Sequence, residues 1–347
     1  MKFSYPSQLF SNQILSRTDL ISLINISLSV GETRYARRLA LAWLASFPGD
    51  LAVSLLHAQC FLQEKQPHQA LPLLEILVGY DPEFLAAQKM LLRTRQTLGL
   101  PFDEVNAAFI ALGGRPQAKS PVPKWAVATR EARSILERTN AKGISINFDA
   151  TGATFLQKAE QLVHQALTEN PGTPITAITH LKIEMRRQDL PKLAVRDLAR
   201  VYHERWQDCI FFKLVLADAL MDSGAADQAV ALLHQAVAQE VAGQVAARLW
   251  EPNHPYRALW LEKLEIGPEV ASRPQEIPVP AAVAASLGWN QLPTPSIPVY
   301  LQESEPNPEP ETTQQAVSLK SAPEPMDTIA ETTPVTPRKS PRPKPHY

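Results

Sequence analysis

Residues 36–50 read ARRLALAWLASFPGD and residues 70–82 read ALPLLEILVGYDP. In both, apolar side chains recur at steps of three and four: Ala36, Leu39, Ala40, Trp43 and Leu44 in the first, Ala70, Leu73, Leu74 and Leu77 in the second. That spacing is one face of an amphipathic helix. Pro48 and Pro82 close the two runs, because a proline pushes the residue before it out of the α region. They stand 34 residues apart, and Pro116 follows at the same interval. A fixed period of this length marks a stack of helix pairs, an all-α solenoid whose units bury their apolar faces against one another.

The period extends outward from these two stretches. In residues 51–84, Ala58 and Phe61 supply a small and an aromatic position before Ala70, Leu74, Leu77 and Pro82. Residues 17–50 keep Gly31, Ala36 and Pro48, although the first helix, from Asp19, is rich in β-branched residues. Residues 85–118 keep Gly99, Ala108, Ala111 and Pro116, with Glu104 where a small residue is expected. The phase then slips. The next terminator is Pro171, preceded by Ala159, Val163 and Ala166, and the extra residues are assigned to a Gly-containing loop at 139–153. Residues 174–207 form a degenerate unit with Leu193 in the small position. Residues 210–243 recover the pattern with Ala217, Leu220, Gly224, Ala229, Leu233 and Ala236.

Over residues 17–243 this pattern resembles the tetratricopeptide repeat (TPR) family, whose unit is a helix, a turn and an antiparallel second helix. The resemblance implies a right-handed α-solenoid of about six TPR-like helix pairs. It divides the chain into an N-terminal array of three repeats (1–118), a degenerate repeat with a loop insertion (119–173), C-terminal repeats with a capping segment (174–266) and a disordered Pro-rich tail (267–347).

The formal net charge is −1, so no global field draws the chain to nucleic acid. Cys60 and Cys209 fall in different repeats, too far apart for a disulfide in a solenoid, and read as buried thiols of a reducing compartment. The first residues, MKFSYPSQLFSNQ, lack the apolar centre of a signal peptide, and no stretch reaches the ~18 apolar residues that span a bilayer. A cytoplasmic protein without membrane insertion is expected.

Motifs of chemistry are missing from the sequence. There is no His-x-x-x-His, Cys-x-x-Cys, P-loop or dinucleotide glycine pattern. His203-Glu204 lacks a second histidine at metal-ligand spacing, and Ser145 and Asp149 have no nucleophile-elbow context. The expectation is a non-enzymatic protein with no cofactor and no metal.

Residues 244–266 present Leu249-Trp250 and Leu259-Trp260 around a Pro-x-x-Pro turn. Trp250 and Trp260 read first as a terminal cap, which the last repeat requires, and second as a partner interface. An uncovered terminal face would allow self-association. From residue 267 onward, 17 of the 31 prolines fall in 81 residues, and Glu303, Glu305, Glu309, Glu311, Glu324, Asp327 and Glu331 precede a basic end of Arg338, Lys339, Arg342 and Lys344. Such a tail reads as a linker, or as a polyproline II ligand for a partner domain. Within it, 281–292 (AAVAASLGWNQL) reads as a short helix that docks elsewhere.

The TPR resemblance also implies a concave groove lined by the first helix of each pair. Projected onto this sequence, the groove presents Asn25, Gln59, Gln63, Lys89, Arg93, Lys182, Arg186, Asp218 and Asp222. The charged pairs lie at i, i+4, on one helix face. Leu55, Leu62, Ile178, Phe211, Leu214 and Met221 would make the groove partly apolar. Ile21, Leu56, Ala86 and Met90 occupy positions that a carboxylate-gripping groove fills with polar or basic side chains, which argues against such a clamp. The function expected is a protein–protein interaction scaffold or adaptor that holds a peptide or protein segment in this groove. The alternative is a regulatory or sensory module whose effector domain is supplied in trans or is missing from this chain.

Overall fold

The computed structural model describes residues 15–116, 121–141, 150–187, 192–261, 263–266 and 280–287. Most of them are helical. The order is β1 (Leu15–Ser16), α1 (Arg17–Ser29), α2 (Thr33–Ser46), α3 (Leu51–Gln63), α4 (Pro67–Tyr80), α5 (Leu85–Thr97), α6 (Asp103–Ala111) and α7 (Lys124–Ala141). There follow α8 (Ala150–Glu169), α9 (Pro174–Glu184), α10 (Lys192–Arg205), α11 (Ile210–Asp222), α12 (Ala226–Gln239) and α13 (Gln244–Leu249). A 3-10 turn (Pro255–Leu259), β2 (Glu265–Ile266) and α14 (Ala281–Ser286) complete the described residues. From α1 to α12 each helix packs on the next, and α13 packs on α11.

The turns show why the chain folds this way. Gly31, Lys65 and Gly99, spaced 34 residues apart, all adopt positive φ (84°, 59° and 66°), and Gly224 does the same at 80°. After each, the next residue's N–H reaches back five residues: Glu32 to Ser27, Gln66 to Phe61, Leu100 to Arg95 and Ala225 to Leu220, at 2.8–2.9 Å. This is the Schellman closure of a helix C-terminus, which satisfies carbonyls the helix leaves unpaired. Where helices cross, alanine allows close approach: Ala36, Ala58, Ala70, Ala159, Ala166, Ala217, Ala229 and Ala236 are all fully buried.

Three local expectations change. Glu104 is exposed because α6 packs through Ala107 and Ala111, with Ala108 only partly covered. Leu193 is 54% exposed, and α10 turns Ala199 inward instead. The loop expected at 139–153 begins and ends in helix, since 139–141 end α7 and 150–153 begin α8, while 142–149, with Ser145 and Asp149, lie outside the described residues. Part of the phase slip is therefore a lengthening of two helices: α7 has 18 residues and α8 has 20, against 13 or 14 in α1 to α4.

The array does not remain open. Nine of the eleven residues of α9 and nine of the thirteen of α11 are buried, so these helices run through a core and do not wall a groove. That core joins Leu51, Leu55 and Ala58 of α3 and Leu91 of α5 to Ile178, Phe211, Leu214, Trp250 and Trp260. The turn before α3 meets the turn after α12: Val241 N–H donates to Gly49 O at 3.2 Å, and a Cβ on Gly49 would lie 2.7 Å from Ala238 O. β1 pairs antiparallel with β2, Leu15 opposite Ile266, and Arg17 N–H donates to Leu264 O at 3.0 Å. Finally α14 lies on α1, with Val283 fully buried in the cluster of Leu15, Leu20, Leu23 and Ile24. The remainder of the 267–347 segment, including its acidic stretch and basic end, lies outside the described residues. Among the described residues, no helix is long and apolar enough to cross a membrane.

Candidate functional site

The site is organised by one turn, Tyr80-Asp81-Pro82-Glu83-Phe84. Pro82 drives Asp81 out of helical geometry (φ −132°, ψ 85°) and ends α4. The Asp81 carboxylate accepts the N–H of Glu83 at 3.2 Å, and Phe84 N–H closes the turn on Asp81 O at 3.0 Å. Two acidic side chains are thereby fixed next to each other, both nearly removed from water.

Each is met by cations from distant parts of the chain. Arg248, on α13, donates through Nη2 to Asp81 Oδ1 at 2.6 Å. Lys182, on α9, donates through Nζ to both oxygens of Glu83 at 2.7 and 2.8 Å, and Arg133 of α7 donates to the same carboxylate. Burial alone would push Glu83 up, but Lys182 and Arg133 outweigh it and hold the carboxyl at about 2. For Asp81 the balance goes the other way: burial raises it despite Arg248, and its Oδ2 has no hydrogen-bond partner among the described residues. The α4–α5 turn, α7, α9 and α13 are joined at this point.

Above the ion pairs opens a cavity of about 270 Å³. Its charged lining is Arg133, Lys182, Arg186, Arg248 and Glu137, and its apolar lining is Leu136, Met185 and Leu249. Arg186 stands one helical turn beyond Lys182. Its Nη1 donates to Leu136 O at 3.4 Å, and burial lowers its pKa.

Of the residues the sequence nominates, Lys182 and Arg186 come together here. The others do not. Asn25, Gln63, Lys89, Arg93 and Asp222 are exposed and Gln59 is half-buried, on α1, α3, α5 and α11. Asp218 faces His254 at 3.5 Å. Trp250 and Trp260 are 6% and 7% exposed and pack on each other at 6.1 Å, and Trp260 Nε1 donates to Glu240 O at 2.7 Å. The expected apolar groove is filled. Leu55, Ile178, Phe211 and Leu214 are core residues, with Leu62, Met90 and Met221 packed against them, because the array's own inner faces meet. Asp81, Glu83, Arg133 and Arg248 were not anticipated. The acidic pair flanking a helix-ending proline was the legible signal, and nothing local marks their cationic partners.

His180 lies between Tyr202 Oη (2.7 Å from Nδ1) and Glu184 (3.4 Å from Nε2). Burial first, then His164 and Arg187, push it down to about 4, so the imidazole is neutral at pH 7. Tyr202 is pushed up to about 12 by burial and Glu184, the opposite of an activated hydroxyl. Cys60 and Cys209 are free and buried, and burial pushes both thiols up to about 12, which disfavours the nucleophilic thiolate. Among the described residues no group of three or more His, Cys, Asp or Glu is placed to hold a metal ion.

No family model, curated protein or solved structure matches the chain.

Proposed function

We propose that this chain is a cytoplasmic, non-enzymatic interaction scaffold of the TPR type, with α1 to α12 forming six helix pairs of right-handed superhelical sense. The observation that carries the reading is the recurrence of one left-handed turn geometry at residues 31, 65 and 99. A chain built from such units offers shaped surface and rigid spacing, the properties of an adaptor. The apolar inner face is consumed in closing the array, so the protein partner is read by polar side chains at its rim. Lys89 and Arg93 on α5 fit that role: both are exposed, and no ion pair among the described residues engages them.

The test is capture from extracts of the native host with the full chain and with Lys89→Glu/Arg93→Glu, compared by quantitative mass spectrometry. A specific protein captured by the wild type and lost with charge reversal is the expected result. An unchanged set of captured proteins removes the α5 assignment. The second reading, a regulatory or sensory module acting on an effector supplied in trans, is favoured by the cationic cavity beside Arg186.

A further inference from the structure

We infer that the cavity between α7, α9 and α13 binds a small monocarboxylate, its acid group on Arg186 and its carbon skeleton against Leu136, Met185 and Leu249. This inference deepens the sensory reading and does not depend on a protein partner at Lys89 and Arg93.

Charge selects the class of ligand. Glu83 is committed to Lys182 and Arg133, and Asp81 to Arg248. Arg186 is different: of its five N–H donors, one makes a long contact of 3.4 Å to the Leu136 carbonyl. Drawing a guanidinium partly out of water without an anion is costly, and among the described residues no carboxylate is paired with this group. Of the residues lining the cavity, Arg133, Lys182, Arg186 and Arg248 are cationic and Glu137 is acidic, and the nearby Asp81 and Glu83 offset part of that excess. The remaining positive character favours an anion of low charge. The planar fork of an arginine also matches a carboxylate with two parallel hydrogen bonds.

Shape selects the rest of the ligand. A cavity of about 270 Å³ is close to the lower end of small-molecule pockets and too small for a folded partner. Three apolar side chains line it next to the guanidinium, so an inorganic anion would leave that surface uncovered. Met185, 39% exposed, is the adjustable wall, since its unbranched thioether adapts to different skeletons. The carboxylates within the cluster disfavour a polyanion.

The probe is benzoate, titrated calorimetrically into the full chain, with benzyl alcohol as the uncharged analogue and inorganic phosphate as the anion without a skeleton. Saturable one-site binding of benzoate is expected, with both controls at least about tenfold weaker. Arg186→Gln should weaken benzoate by about tenfold or more while circular dichroism stays unchanged, since the side chain it replaces holds only one long hydrogen bond. Met185→Ala should weaken benzoate and leave acetate unaffected. If Arg186→Gln fails to fold, Arg186→Lys keeps the charge without the fork and should bind with reduced affinity. Benzoate affinity unchanged in either Arg186 variant, phosphate binding as tightly as benzoate, or no saturable benzoate binding up to about 10 mM would each overturn the inference. None of these results alters the capture experiment at α5, so the two readings fail separately.

Discussion

Lys65 is the residue at which the repeat is hardest to see. It holds φ at 59°, in the place that Gly31, Gly99 and Gly224 fill in the corresponding turns. A side chain in the left-handed region costs about 1–2 kcal/mol, which glycine avoids. The Schellman bond of Gln66 to Phe61, 2.8 Å, keeps the turn in this conformation all the same. Lys65→Gly should therefore stabilise the fold by about 1 kcal/mol, less whatever glycine adds to the entropy of the unfolded chain. The expected reading is a rise in Tm of roughly 2–4 °C by calorimetry. A Tm that falls would show that Lys65 is held by contacts stronger than the strain. The lesson for legibility is local. Glycine announces three of these turns in the sequence, while at 65 only the spacing does.

At the scale of elements, the 81–83 turn determines how distant helices are held. Its ending of α4 was legible, because proline acts on its own neighbours. Its role as an ionic hub was not, because Arg133, Lys182 and Arg248 approach from 50, 99 and 167 residues away. The start of α8 was hidden for a related reason: Gly152 lowers helix propensity and reads as a break, yet it lies inside the helix. The hub predicts a pH response. Glu83 sits at about 2 in the folded protein against 4.5 for an ordinary glutamate, so it contributes stability that is complete above pH 4.5 and is lost as pH falls from 4.5 towards 2. The full contribution is on the order of 3 kcal/mol. Glu83→Gln leaves Lys182 and Arg133 without their counter-charge and should cost about 3–5 kcal/mol at pH 7. The variant should also lose this part of the acid dependence when unfolding is followed from pH 6 to 2.5. Parallel acid profiles for the two proteins would mean that Glu83 is not the group linked to folding.

For the whole molecule, the decisive feature is that the two ends of the helical array meet. The sequence makes the units plain through their period and gives no sign of the closure. Gly49 looks like part of an ordinary Phe-Pro-Gly-Asp turn, and only in the folded chain does it become the point where α12 approaches. The same contact removes the apolar groove, because the side chains that would line it cover each other. Among the described residues, the proposed recognition falls to the α5 rim and to the cavity at Arg186. Closure thus underlies the functional account as well as the fold. It is tested most directly by residue-resolved amide hydrogen exchange at Val241, bonded to Gly49 O, and Arg17, bonded to Leu264 O. The closed array predicts that both amides are protected in the wild type and that Gly49→Ala, which places a methyl group against Ala238 O, selectively weakens protection at Val241. Exchange at both amides at unprotected rates, with α3 and α11 still protected, would contradict it.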